Sequence, residues 1–238
     1  MHIFTVDGNI GSGKSTLIKL MKKKYRVFAD KKIVYLPEPV DIWESIRDKN
    51  GKNVIESYYE NQVKYAFPFQ MMAYISRVHQ IREIMKNCDD NTIIICERSV
   101  YTDKHVFAKM LHDNGTMNDI EIQIYKKWFD EFVKDFPFSG IIYVGAEPTK
   151  SLERVKIRNR KGETIPLSYL EMCHQYHEKW LNNSNIPVLK LNGNKEFINA
   201  IPVEWMLALE TFIKKQSKIK IDDDESLYDE YLYTMVTG

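Results

Sequence analysis

A chain of 238 residues, 44% of them hydrophobic, sets 34 basic side chains against 33 acidic ones for a formal net charge of +1. That near balance supplies no field for a run of nucleic-acid phosphates, and no stretch approaches the roughly 20 apolar residues of a membrane span, so neither nucleic acid nor bilayer is expected as a partner. Met1-His2-Ile3 leads directly into an apolar run, and Cys88, Cys96 and Cys173 show no paired ligand spacing, so the expectation is a soluble cytoplasmic protein with reduced, mostly buried thiols.

Along the chain, short β-branched or apolar runs alternate with longer helical patterns. The runs are Ile3 to Val6, Ile33 to Leu36, Thr92 to Cys96, Ile141 to Val144 and Val188 to Leu191. Continuous apolar strands separated by helices predict an α/β fold with a buried, five-stranded parallel sheet. Helices are predicted near Gly13, from about Val54 to Lys86, Tyr101 to Leu111, Asn118 to Lys134, Lys150 to Arg158, Leu167 to Leu181 and Val203 to Lys214. No repeat and no Gly/Ser- or Pro-rich linker interrupts the pattern, so residues 1–238 read as a single domain. The acidic run Asp222 to Glu225 belongs to a tail, about 217–238, expected to be solvated or loosely docked.

Gly8-Asn9-Ile10-Gly11-Ser12-Gly13-Lys14-Ser15-Thr16 fits the phosphate-loop pattern G-x-x-x-x-G-K-[ST], and it lies between the first strand and the first helix, where the mechanism requires it. Backbone N–H groups there converge on phosphate oxygens at the positive end of a helix dipole. Lys14 would bridge the terminal phosphates, its head facing ligand and solvent, and the Ser15 hydroxyl would ligate Mg²⁺. The basic run from Lys19 to Arg26 reads as a solvated helix face. The chain is therefore expected to use ATP or another nucleoside triphosphate with magnesium.

Other clusters define the chemistry opposite that loop. Glu38, flanked by Pro37 and Pro39, follows the second strand, where a rigid carboxylate can serve as a base. Glu97 ends the third strand and suits a metal-water ligand, while Arg98 beside it can hold the transferring phosphoryl group. Arg154, Arg158 and Arg160, with lysines between them, form a dense basic segment suited to a lid closing on phosphates, about residues 154–165.

With these residues in place the sequence resembles the deoxyribonucleoside kinase family, in particular its deoxycytidine, deoxyguanosine and deoxyadenosine kinase branch. The likeness runs from Gly8 to about Leu191 and rests on the phosphate loop, Glu38-Pro39-Val40 with Trp43, Phe67-Pro68-Phe69-Gln70, Ser76-Arg77, Glu97-Arg98-Ser99-Val100-Tyr101 with Asp103, the lid Arg154 to Glu163, and Ile165-Pro166-Leu167-Ser168-Tyr169-Leu170-Glu171 with His174, His177-Glu178 and Trp180-Leu181. The resemblance implies that Glu38 is the general base for a nucleoside 5′-hydroxyl, that Arg98 steadies that base and the phosphates, and that Glu97 helps place Mg²⁺. It implies lid roles for Arg154, Arg158 and Arg160, a hold on the sugar 3′-hydroxyl by Tyr59 and Glu163, and a grip on the base edge by Gln70. Trp43, Phe69 and Phe107 would wall the base slot, and an Arg77–Asp103 pair would favour deoxycytidine and deoxypurines over thymidine. A homodimer formed through the long helices is also implied.

The sequence departs from that pattern at Gly11-Ser12, where relatives carry small alanines, and in a lid one residue shorter before Ile165-Pro166. His174 and His177 read as helix packing. Two other functions fit the phosphate loop: a deoxynucleoside monophosphate kinase, which would need further basic groups near Glu38, and a non-catalytic nucleotide-binding scaffold, which the retained Lys14, Glu38 and Arg98 oppose.

Overall fold

A computed structural model describes residues 1–160 and 163–218; the acidic run 222–225 and the lid residues Lys161 and Gly162 lie outside the described residues. The chain opens with strand β1 (His2–Asp7), the phosphate loop and helix α1 (Lys14–Lys24). It continues through β2 (Val27–Phe28), β3 (Lys31–Leu36), α2 (Val40–Ser45), α3 (Val54–Glu60), α4 (Gln62–Met85) and β4 (Thr92–Glu97). After β4 comes one helical rod with an internal π-turn: α5 (Val100–Thr102), the π-turn Asp103–Ala108 and α6 (Lys109–Asp113). Then follow α7 (Asp119–Phe132), a 3₁₀ turn (Val133–Asp135), β5 (Phe138–Gly145), α8 (Pro148–Arg158), α9 (Leu167–Leu181), β6 (Val188–Asn192) and α10 (Val203–Gln216).

The sheet order is β2-β3-β4-β1-β5-β6. From β3 to β6 the neighbours are parallel. These are the five strands expected from the apolar runs, and the sheet has a sixth. β2 pairs antiparallel with β3 across a turn at Ala29 and Asp30, both in the left-handed region. Val27 and Phe28 are apolar but only two residues long, which is why the sequence pattern misses the strand. Helices cover both faces of the central strands, so Ile3, Phe4, Val6 and the stretch Ile93 to Ile95 are fully buried. One core layer joins the sheet to α1 and α10 through Leu17, Met21, Trp205 and Phe212; another joins it to α4 and α7 through Tyr74, Val78, Tyr125 and Phe129.

The helical stretch expected from Val54 to Lys86 is two helices. Asn61 leaves helical geometry and its side chain accepts from the Lys64 amide, so it starts α4 afresh, whereas Pro68 is carried inside α4. α3 starts on a capping box formed by Asn53 and Glu56. The winding runs to one side of β1 through β3 and β4, then crosses to the other side for β5 and β6, so the carboxyl end of β1 lies at the reversal point where ligands bind in such sheets. No described helix is long and apolar enough to cross a membrane.

Candidate active site

The carboxyl ends of β1, β3 and β4 open into a cleft of ≈ 550 Å³. Its floor is the phosphate loop. Gly13 takes φ 105°, and a Cβ there would lie 2.6 Å from the Phe197 ring, so only glycine allows the loop to pass beneath that ring. Asn9 anchors the loop by donating from Nδ2 to the Leu170 carbonyl at 2.8 Å. Ser15 lies on the first turn of α1 and its hydroxyl donates to Glu97 at the end of β4, which brings the two expected metal ligands together. Ile10, Gly11 and Thr16 line the same cleft.

Lys14 departs from expectation. It lines the cleft, but its head is buried and donates to the Asn9 carbonyl at 2.6 Å instead of facing solvent. Burial, reinforced by Arg98, lowers its pKa to about 7 against the pull of Glu97, Glu38 and Asp7. The basic segment divides as well. Arg154 turns inward and donates from Nη1 to the Gly193 carbonyl at 2.7 Å and the Ser12 carbonyl at 3.2 Å, so it buttresses the loop. Arg158 donates to both carboxylate oxygens of Glu163, at 2.6 and 2.5 Å, and Arg160 lines the cleft.

Arg98 is in the left-handed region at φ 68°, a conformation that costs a β-carbon residue about 1 kcal/mol or more. Its amide donates to the Val6 carbonyl and its Nη1 to the Gly8 carbonyl, both at 3.0 Å, which holds the side chain across the mouth of β1 and over the Phe107 ring. Beneath it, the buried Asp7 carboxylate accepts from the Ser99 amide at 2.9 Å, from the Thr102 hydroxyl and from the Thr5 hydroxyl at 2.6 Å. Asp7 stands at a strand end beside the loop, and that position is the signal that would have singled it out.

On the acceptor side Glu38 meets two guanidinium groups at its Oε1, Arg77 Nη2 at 2.5 Å and Arg98 Nε at 3.4 Å. The resemblance assigns that bracing to Arg98; in the structure Arg77 makes the closer contact. Burial alone would raise the Glu38 pKa, but Arg77 and Arg98 outweigh it and hold the carboxyl down at about 2. Arg77 Nε also approaches Asp103 Oδ2 at 3.0 Å, off the angle of a hydrogen bond, so the two are ion-paired while Oδ2 keeps an unused acceptor position. Burial lifts Asp103 to about 6 against the attraction of Arg77 and Arg98.

Gln70 is buried with its Oε1 unpaired among the described residues. Trp43, Phe69, Phe107 and Ala73 line the cleft around it. Trp43 meets Phe69 edge to face and is held by a hydrogen bond from Nε1 to Ser76 Oγ at 2.9 Å, while Phe69 stacks on Tyr58 with centroids 4.7 Å apart. Tyr59 and Glu163 both line the cleft, and the Glu163 charge adds to burial in raising the phenol. Tyr58 and Tyr169, which share a hydroxyl contact at 3.2 Å, also line the cleft and carry no sequence signal beyond aromatic character. His177 packs inside α9, its Nδ1 on the Cys173 carbonyl at 2.7 Å.

A phosphate loop at the winding reversal of a parallel sheet, facing a carboxylate clamped by arginines, defines a P-loop phosphotransferase of the small-molecule class. Residues 4–213 match the family model described as deoxynucleoside kinase. The chain is 34% identical over 223 residues to the deoxycytidine kinase of Homo sapiens, covering 81% of this chain and 84% of that protein. It is 35% identical over 204 residues to a probable deoxycytidine kinase of fowlpox virus, covering 82% and 80%. A mitochondrial deoxyguanosine kinase of Xenopus laevis is 32% identical over 223 residues, covering 82% of each. The chain belongs to the deoxynucleoside kinase family: it is an ATP-dependent enzyme that phosphorylates a deoxynucleoside.

Proposed function

We propose that the enzyme phosphorylates the 5′-hydroxyl of deoxycytidine or a deoxypurine nucleoside in preference to thymidine. One observation carries this reading: Gln70 and Asp103 line the cleft, and each has a buried acceptor without a hydrogen bond among the described residues, Gln70 Oε1 and Asp103 Oδ2, the latter ion-paired with Arg77. An exocyclic amino group brings two N–H donors to such a site, whereas thymine O4 brings an acceptor. Leaving a buried acceptor against another acceptor costs about 1–3 kcal/mol, roughly ten- to hundredfold in kcat/KM.

The other side chains then take roles consistent with their contacts. Glu38 accepts the proton of the 5′-hydroxyl, and Arg98 lies between it and the phosphate loop to neutralise the transferring group. Among the described residues both guanidinium contacts to Glu38 fall on Oε1, which leaves Oε2 for the hydroxyl. Tyr59 and Glu163 both line the cleft, where they can hold the sugar 3′-hydroxyl, and Trp43, Phe69 and Phe107 enclose the base. Lys14, Arg158 and Arg160 would meet phosphates, the first two after exchanging the Asn9 carbonyl and Glu163 for phosphate oxygens.

The adjacent Ser15 hydroxyl and Glu97 carboxylate are hard oxygen donors that fit Mg²⁺. No described group of three or more His, Cys, Asp and Glu side chains could hold a metal. Magnesium held by Ser15 and Glu97 supplies charge neutralisation to the triphosphate. Association as a homodimer is part of the proposal: Ile120, Ile124 and Trp128 form an exposed apolar stripe on α7, with Ile75 exposed on the neighbouring α4.

Competition kinetics with the four deoxynucleosides, at fixed ATP and magnesium, tests the substrate reading. Thymidine is expected to be poor, and Arg77→Met combined with Asp103→Ala to raise its activity relative to deoxycytidine. Thymidine as the preferred substrate of the unmodified enzyme overturns the assignment.

A further inference from the structure

Two segments far apart in sequence, one at Glu38 and one from Glu97 to Asp103, converge on one buried guanidinium of α4. Arg77, in the middle of α4, donates from Nη2 to Glu38 after β3 and from Nη1 to the Glu97 carbonyl at 3.1 Å, and its Nε faces Asp103 at the start of the π-turn. The guanidinium carbon lies over the Trp43 ring, 5.2 Å from its centroid. Both terminal nitrogens donate hydrogen bonds, Nε is ion-paired without one, and the side chain is only 5% exposed. Arg98 touches the same Glu38 oxygen from 3.4 Å and gives its shorter side-chain bond to the Gly8 carbonyl of the phosphate loop.

The donor directions of a guanidinium are rigid with respect to one another. The Nη1 hydrogen bond to the Glu97 carbonyl and the ion pair between Nε and Asp103 therefore orient Nη2, and with it the Glu38 carboxylate. We infer that Arg77 is a positioning residue for the chemical step, which sets Glu38 against the acceptor hydroxyl and makes that placement depend on Asp103, the group that meets the nucleobase. This deepens the proposed function and rests on Glu38 being the base. A nucleobase that satisfies Asp103 leaves the Arg77 fork in register with Glu38; one that repels Asp103 disturbs both, so discrimination reaches turnover as well as binding. A lysine would return the charge without the fork.

The charged groups facing Glu38 are Arg77, Arg98, Lys14 and, through Arg77, Asp103. With Arg77 gone, burial raises the Glu38 pKa with less opposition, so activity is lost at a higher pH as the solution is acidified.

The full chain carries the test, as Arg77→Met and Arg77→Lys assayed with saturating deoxycytidine, ATP and magnesium between about pH 4.5 and 8. Arg77→Met is expected to lower kcat by about tenfold or more with the KM for ATP within about twofold, and to move the acid limb of kcat upward. Arg77→Lys is expected to restore the acid limb but only part of kcat. A raised deoxycytidine KM with kcat and acid limb unchanged in Arg77→Met confines Arg77 to recognition and overturns the inference. If thermal melting shows that Arg77→Met does not fold, Arg77→Lys decides: reduced kcat supports the inference and parental kcat overturns it. Glu38→Gln separates the two readings. Parental turnover in that variant removes Glu38 as the base, whereas an inactive Glu38→Gln beside fully active Arg77 variants removes only the role of Arg77.

Discussion

Lys14 enters the reaction from an unusual charge state. Burial and Arg98 lower its pKa to about 7, so it loses its proton more readily than an exposed lysine, and triphosphate oxygens are expected to favour the charged form. Binding then takes up a proton, and affinity falls as pH rises above 7, by up to about tenfold per pH unit. Titration calorimetry with a non-hydrolysable triphosphate, in buffers of different ionisation heat, should record proton uptake in the parent and none from this site in Lys14→Met. A pH-independent affinity in the parent between about pH 7 and 9 removes the premise. The identity of Lys14 was legible from the loop pattern, but its burial was not. The partner is a backbone carbonyl of Asn9, whose place depends on how the loop closes. The inward turn of Arg154 escaped for the same reason, since its acceptors are the carbonyls of Ser12, Gly193 and Lys195.

Among the helices, legibility followed length and punctuation. Leu167–Leu181 agrees with expectation because Pro166 opens it and a polar Asn-Asn-Ser segment closes it. The break at Asn61 was hidden because α3 and α4 carry similar patterns on either side and Asn61 is a single residue. The π-turn from Asp103 to Ala108 has no compositional marker, yet it presents both Asp103 and Phe107 to the cleft, as such turns do at functional sites. The apolar stripe on α7 makes a separate prediction. Trp128→Glu with Ile124→Glu should convert a dimer of the 28.1 kDa chain to monomer in sedimentation equilibrium, with the monomer still able to bind triphosphate. An unmodified protein that sediments as a monomer at micromolar concentration rules the dimer out.

Across the molecule, the parallel sheet brings together segments separated by most of the chain. Asp7 links the first strand to the start of the helical rod after β4, and it does so with three accepted hydrogen bonds in a fully buried position. Asp7→Ala leaves the Ser99 amide and two hydroxyls without that acceptor, a loss of about 3 kcal/mol, with Arg98 released from its left-handed turn. Urea denaturation should show that loss, and Asp7→Asn, which keeps most of the shape and hydrogen bonding, should show a smaller one. A midpoint unchanged in Asp7→Ala means the carboxylate does not brace the site. The alternation of strands and helices made this architecture readable, whereas these cross-links depend on the strand order, which no local pattern encodes.

Phe197, lying over Gly13, has a consequence for how the enzyme is made. The phosphate loop leaves the ribosome well before the ring that covers it and the Gly193 carbonyl that anchors Arg154. Synthesis runs at about 5–20 residues per second, so the loop waits roughly ten to forty seconds for its roof. During that interval the nascent chain carries the phosphate-loop motif without the ring and the carbonyl that enclose it in the folded enzyme.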